Sequence, residues 1–267
     1  LLPEYYMKTI DFNCDLGETG EEESLYGQVM PIITSANIAC GLHAGGPDAM
    51  WTALQAAKAA GCLVGAHPGF NDKANFGRTP MTLTDRELTS CLLYQLGALK
   101  AMCGAAGLTL SYVKPHGAMY NMAAKDEHMS KVICRAVKAV DPDLIIVGLS
   151  GSRTQDACAQ EGMRFAAEVF ADRAYNPDGS LVSRKLPGAV LTREEDVIRQ
   201  VLDLVGEGRV RTIDGTMIKV KADTLCMHGD NPKAARFAGL IRKTLEENGF
   251  TVAPMIAART GATGEEA

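Results

Sequence analysis

Four of the five histidines, His43, His67, His116 and His228, lie in short polar motifs directly behind runs of β-forming residues: G-L-H-A-G, G-A-H-P-G-F, K-P-H-G-A and M-H-G-D. The fifth, His128, sits inside an amphipathic stretch. Imidazole serves near neutral pH as acid, base or metal ligand. One strand-end histidine is as readily a structural hydrogen-bonder, but four at strand ends together point to chemistry. Nearby carboxylates, Asp15, Glu18, Asp172 and Asp230, can orient imidazoles or bind a cation. Lys114, Arg78 and Arg173 can hold a substrate carboxylate or stabilise oxyanion charge.

Two mechanisms fit these residue types. In the first, Asp15, His43 and His67 form a facial metal site with open positions for water. In the second, a carboxylate or imidazole activates water without metal. No H-x-x-x-H or H-E-x-x-H spacing is present, so the second is favoured and no tightly bound metal is expected. The expected catalytic groups are Asp15, His43, His67, Lys114, His116 and His228. The expected substrate contacts are Asn13, Asn37, Arg78, Glu168, Asp172, Arg173 and Asp230. Structural alternatives stand beside these: Lys114 as a buried ion pair with Asp15 or Glu168, Arg78 as a tether of its own loop, and Gly45-Gly46 as a capped helix start rather than an anion cradle.

Such groups converge only if a scaffold brings strand ends together. Strand-like runs at Thr9–Asn13, Ala36–Ala39, Leu63–Ala66, Tyr112–Lys114, Leu144–Leu149, Phe165–Val169 and Thr224–Met227 alternate with amphipathic or alanine-rich stretches. The latter cover Asp48–Ala60, Asp85–Ala106, Glu127–Val140, Thr154–Glu161, Glu194–Glu207 and Lys233–Asn248, several followed by a glycine suited to a left-handed C-cap (Gly61, Gly107, Gly162, Gly249). This alternation predicts a parallel sheet with helices outside, and in such folds the carboxyl ends of the strands share one rim. Periodicity does not report whether the sheet closes. A charged loop at Asp172–Pro187 is expected near the site, and Val210–Val220 reads as a hairpin across Asp214-Gly215.

Composition narrows the class. The 267 residues are 46% hydrophobic with a formal net charge of -5, and the basic residues form no stripe, so no nucleic-acid partner is expected. No apolar run reaches the roughly 18 residues that span a bilayer, and the first residues lack the order of a signal peptide. A cytoplasmic protein with no membrane partner is expected. The eight cysteines never form C-x-x-C and read as reduced, mostly buried side chains; Cys14, Cys40 and Cys226 alone lie near the polar motifs. Residues 1–6 and 261–267 are expected to be loosely held ends.

Six blocks, M-K-T-I-D-F-N-C-D-L-G-E, T-S-A-N-I-A-C-G-L-H-A-G, V-G-A-H-P-G-F, V-K-P-H-G-A-M-Y-N, E-V-F-A-D-R-A-Y and C-M-H-G-D, occur in this order along nearly the entire chain. Together they resemble the signature blocks of the LamB/YcsF lactam-utilisation family. The resemblance implies an α/β fold, a single-domain seven-stranded (β/α) barrel over residues 1–267, similar to the glycoside hydrolase/deacetylase group. It also implies an ATP-dependent 5-oxoprolinase activity, with ATP and Mg2+ as cofactor, a small lactam as substrate, and two further subunits, B and C, as partners. The positions carried over are Asp15, His43, His67, Lys114, His116, Asp172, Arg173, His228 and Asp230. One departure is Gly46, where family members commonly carry aspartate. The alternatives are a metal-dependent carbohydrate or amide deacetylase and a non-catalytic lactam- or sugar-binding component. No Walker motif or kinase-like glycine loop is present.

Overall fold

The computed structural model of the chain describes residues 8–18, 23–227 and 234–255. His228, Asp230 and both expected loose ends lie outside the described residues. Strands β1 (Lys8–Leu16), β2 (Ser35–Ala39), β3 (Leu63–His67), β4 (Leu110–Val113), β5 (Ile145–Leu149) and β6 (Arg164–Phe170) each pair in parallel with the next. After β6 the chain makes the antiparallel hairpin β7 (Arg209–Arg211) and β8 (Met217–Lys219), where the sequence places one, before entering β9 (Thr224–Met227). β9 pairs in parallel with both β6 and β1, closing a seven-stranded barrel. A further strand, β10 (Phe250–Val252), joins the first residues of β1, beside the stretch that β9 holds.

Outside lie α1 (Glu23–Val29), α2 (Pro47–Ala60), α3 (Asp85–Ala106), α4 (Gly117–Ala123), α5 (Glu127–Val140), α6 (Arg153–Glu161), α7 (Glu194–Val201) and α8 (Ala234–Glu247). α3 shows why these segments are helical. Thr84 and Glu87 form a reciprocal capping box, Leu88, Leu92, Leu96, Leu99 and Cys103 recur on one buried face, and Gly107 closes the helix in the left-handed conformation. Gly61 and Gly162 close α2 and α6 in the same way. The expected Glu194–Glu207 helix is regular only to Val201 and continues as a π-turn over Leu202–Gly206. No helix among the described residues is long and apolar enough to cross a membrane. All eight cysteines are free thiols.

The barrel interior is polar. Phe12, Cys14 and Leu16 of β1 belong to the apolar core that contains Leu54, Leu92, Leu96 and Leu99 of the helices. By the two-residue period of a strand, Asp11, Asn13 and Asp15 point the other way, into the barrel. There the Asn13 amide donates to Glu168 and Thr224, and Asn37 donates to Asn13 and Asp15. At one end Asp11 accepts from Thr34, Ser35 and Thr224. These bonds are what make the burial of so many polar groups tolerable.

Gly65 makes room for this filling. A Cβ there would lie 2.0 Å from the Tyr112 ring, whose hydroxyl donates to Asn37 at 2.6 Å and so cannot swing aside without breaking that bond. Gly65→Ala is therefore expected to destabilise the chain by at least about 2 kcal/mol, the upper range for overpacking a tight core. Chemical denaturation checks this, and an unchanged midpoint would mean that the ring has another place to go.

Candidate active site

At the carboxyl end of the barrel, four consecutive strands deliver their polar residues to one place. β1 ends beyond Asp15 at Leu16, and the chain turns at Gly17 (φ 74) to present Glu18. The loop after β2 carries His43; it is pinned where the Gly45 amide donates to the Glu18 carbonyl at 3.0 Å. Gly45 has φ 65, and a Cβ on it would overlap the Gly17 carbonyl at 2.1 Å, so only glycine allows these two loops to meet. β3 ends on His67, while Lys114 and His116 directly follow β4.

Glu18, His43, His67 and His116 are drawn together so that one donor atom from each lies within 4.8 Å of all the others. The His43 and His116 rings stack with centroids 3.9 Å apart and planes at 6°, and His67 meets His116 edge-on at 4.8 Å. His67 Nδ1 lies 2.7 Å from the Lys114 carbonyl oxygen, and His116 Nε2 lies 2.9 Å from that of Phe76. The remaining nitrogens, His67 Nε2 and His116 Nδ1, face each other at 2.9 Å. Glu18 Oε1 stands 3.6 Å from His43 Nε2 and 3.5 Å from His116 Nδ1, and Asp15 Oδ2 lies 3.4 Å from His67 Nε2. Burial, then the neighbouring His67, bring the His43 pKa down to about 3, with Arg78 and Lys73 adding to the effect against Asp15. Burial lowers that of His116 further, again helped by His67 and His43.

Below the imidazoles sits the Lys114 ammonium, 2.9 Å from Asp15 Oδ1 and 2.9 Å from Glu168 Oε1, and also donating to Asn13 Oδ1 and Cys226 Sγ. Burial works against this charge, but Asp15, Cys226 and Glu168 outweigh it and hold the lysine pKa well above its ordinary value. The expected structural pairing of Lys114 with Asp15 or Glu168 is thus present with both.

Asp15, His43, His67, Lys114 and His116 converge as the strand-end pattern implies, with Asn13, Asn37 and Glu168 beneath them. The donor cluster differs from the expected Asp15, His43 and His67, because Lys114 and Asn37 engage Asp15 Oδ1, whereas Glu18 and His116 reach the other two histidines. The sequence singled out Glu18 as a carboxylate able to orient an imidazole or bind a cation, but not as a member of the facial donor set. Its signal was the N-C-D-L-G-E motif, in which the glycine turns the chain toward the histidines. Arg78 is exposed at the rim with its guanidinium 4.9 Å above the Phe76 ring. Asp172 is buried where β6 ends. The Arg173 guanidinium donates to the carbonyls of Val182 and Ala189, tying together the charged loop that follows β6. His128 lies apart, exposed on α5 beside Asp85.

The LamB/YcsF family profile matches residues 10–260 of the chain. The chain belongs to the LamB/YcsF family. Among relatives, the 5-oxoprolinase A subunit of Histophilus somni (strain 129Pt) is 49% identical over 250 residues, covering 94% of this chain and 100% of that one. Among solved structures, the lactam utilization protein from Thermus thermophilus superposes with a TM-score of 0.84 at 41% identity, covering 92% of this chain and 99% of that one. The peptidoglycan deacetylase PdaC of Bacillus subtilis superposes with a TM-score of 0.51 at 13% identity, over 96% of this chain and 93% of that one, a likeness of fold alone.

Gly46, the departure from the LamB/YcsF pattern, caps the start of α2 with extended backbone (φ 172), and a Cβ there would meet nothing within 4 Å. Gly46→Asp is therefore expected to be accommodated and to stabilise the chain by about 0.3–1 kcal/mol, through the cap and the positive helix end. A thermal melt checks this, and a lowered midpoint would show that a carboxylate so near Glu18 is unwelcome.

Proposed function

We propose that this chain is the A component of an ATP-dependent 5-oxoprolinase, opening the lactam of 5-oxoproline to L-glutamate as ATP is converted to ADP and phosphate. The carrying observation is the 49% identity, over 94% of the chain, to the 5-oxoprolinase A component of Histophilus somni. The buried imidazole and carboxylate cluster supports the reading, because it supplies the groups that amide hydrolysis requires.

An amide nitrogen is a poor leaving group, and a five-membered lactam is little strained. Transfer of the γ-phosphoryl group of ATP to the lactam oxygen yields a stronger electrophile. Water then adds to the same carbon, the C–N bond breaks as the nitrogen takes up a proton, and a second water hydrolyses the resulting acyl phosphate to carboxylate and free phosphate. On this chain, Asp15 is the group we assign to receive the proton of the attacking water. Arg78 and Lys73, both exposed near His43, offer positive charge to the substrate carboxylate. ATP is assigned to the assembled complex with the B and C subunits, in keeping with the missing nucleotide motifs.

Glutamate and ADP release, measured with and without each partner, tests the division of labour. The isolated chain should show negligible 5-oxoproline-dependent ATP hydrolysis, and adding both partners should restore it. Full activity from the isolated chain would refute it.

A further inference from the structure

We infer that Glu18, His43, His67 and His116 form a binding site for one divalent transition-metal ion. The inference stands on the geometry of the cluster and does not depend on the lactam reading.

Protonation of the rings is constrained by their backbone partners. A carbonyl oxygen only accepts, so the bonds to the Lys114 and Phe76 carbonyls place hydrogens on His67 Nδ1 and His116 Nε2. In neutral rings this leaves His67 Nε2 and His116 Nδ1 as bare lone pairs, and these are the two atoms that face each other at 2.9 Å. Two lone pairs at that separation repel unless positive charge sits beside them. A proton shared between the two rings would supply that charge but would leave His43 unexplained. The residue is 1% exposed, yet neither ring nitrogen has a hydrogen-bond partner among the described residues, and its Nε2 is aimed at the same Glu18 oxygen that approaches His116. A metal ion accounts for all of these atoms together.

The remaining features agree. Donor atoms within 4.8 Å of one another need only modest shifts to reach the spacing of about 3.3 Å that follows from tetrahedral metal–nitrogen bonds of about 2.0–2.1 Å. Metal-bound histidines characteristically donate their other N–H to a carbonyl or carboxylate, as His67 and His116 do here. Three imidazoles and one carboxylate suit zinc, cobalt, iron or nickel, whereas magnesium and calcium take oxygen-rich sites. Lys114 is paired with Asp15 and Glu168, whereas the Glu18 carboxylate faces His43 and His116, so a bound cation would lie against negative charge. Once bound, such an ion would act as a Lewis acid toward a carbonyl or water in the pocket.

The test uses the full chain without a histidine tag, stripped with chelator and titrated with Co2+, reading the visible absorption of the protein-bound ion. Elemental analysis of protein purified without chelator accompanies it. We expect one equivalent bound, a rise in melting temperature with metal, and affinity lower by at least about a hundredfold in His43→Ala and His116→Ala, beyond the 10–100-fold typical of losing a supporting partner. His128→Ala, a change on the surface, should bind as the wild type does. Two outcomes overturn the inference: failure of the folded wild-type chain to take up Co2+, or binding that persists unchanged in a folded His43→Ala/His116→Ala double variant. Neither readout involves 5-oxoproline, so loss of the oxoprolinase reading would leave this result intact.

Discussion

Lys114→Met is expected to destabilise the chain by about 3–5 kcal/mol, the range for removing one partner from a buried ion pair. For a chain of this size that corresponds to a fall in melting temperature of roughly 10 °C or more. The reason is the company Lys114 keeps. Its ammonium contacts both Asp15 and Glu168 at 2.9 Å, with 3% of the lysine side chain exposed and none of the Glu168 side chain. Methionine preserves the stem but leaves two carboxylates buried without their cation. Adding Glu168→Gln removes one of these charges, so the double variant should regain part of the loss, with a coupling of about 1–3 kcal/mol. Thermal and chemical denaturation of the four proteins in the cycle measure this. Additive effects would mean that water reaches the site and screens the charges.

Asp15→Asn addresses chemistry with little disturbance of the fold. Asparagine keeps an Oδ1 to accept from Lys114 and Asn37, as Asp15 does at 2.9 and 2.7 Å. Its amide would face His67 Nε2, where Asp15 Oδ2 now stands at 3.4 Å, and would donate where a base is required. In the complex with the B and C subunits, turnover of 5-oxoproline should fall at least about a hundredfold, the usual scale for losing a general base. Glutamate release from the assembled complex checks this, with a melt to show that the variant is folded. Turnover equal to the wild type would remove Asp15 from the chemistry and leave it a structural anchor for Lys114.

The alternation of strand and helix was legible because each strand is a short apolar run and many of the helices stop at a glycine, whereas closure into a barrel was implied only by the family resemblance; Gly61, Gly107 and Gly162 indeed adopt the left-handed cap. α1, α4 and β10 escaped because elements of seven, seven and three residues are too short to show a period. The convergence of His43, His67 and His116 followed from their positions behind strands, but their mutual orientation did not. That orientation depends on main-chain carbonyls at Lys114 and Phe76, and an acceptor belonging to every residue leaves no mark in the sequence. The commitment of Arg173 to the carbonyls of Val182 and Ala189 was hidden for the same reason. Glu18 displaced Asp15 from the donor cluster because Lys114 is close enough to claim the aspartate, a preference fixed only by the depth of each side chain in the barrel.

The polar filling of the barrel also constrains how the chain reaches its native state. Lys114 and Asp15 are 99 residues apart, and Asn13 and Glu168 are 155 apart. None of these groups gains from leaving water before its partners arrive, since a half-assembled set is a collection of buried, unmatched charges and amides. Closure of β9 against β1 and β6 therefore belongs to a late step, after the helices and neighbouring strands have packed on their apolar faces. Conservative substitutions in the barrel lumen should act chiefly on the unfolding rate, whereas those in the Leu88–Leu99 face of α3 should slow folding. The same charges that equip the rim thus act as a latch, engaging only when the ring of strands is complete.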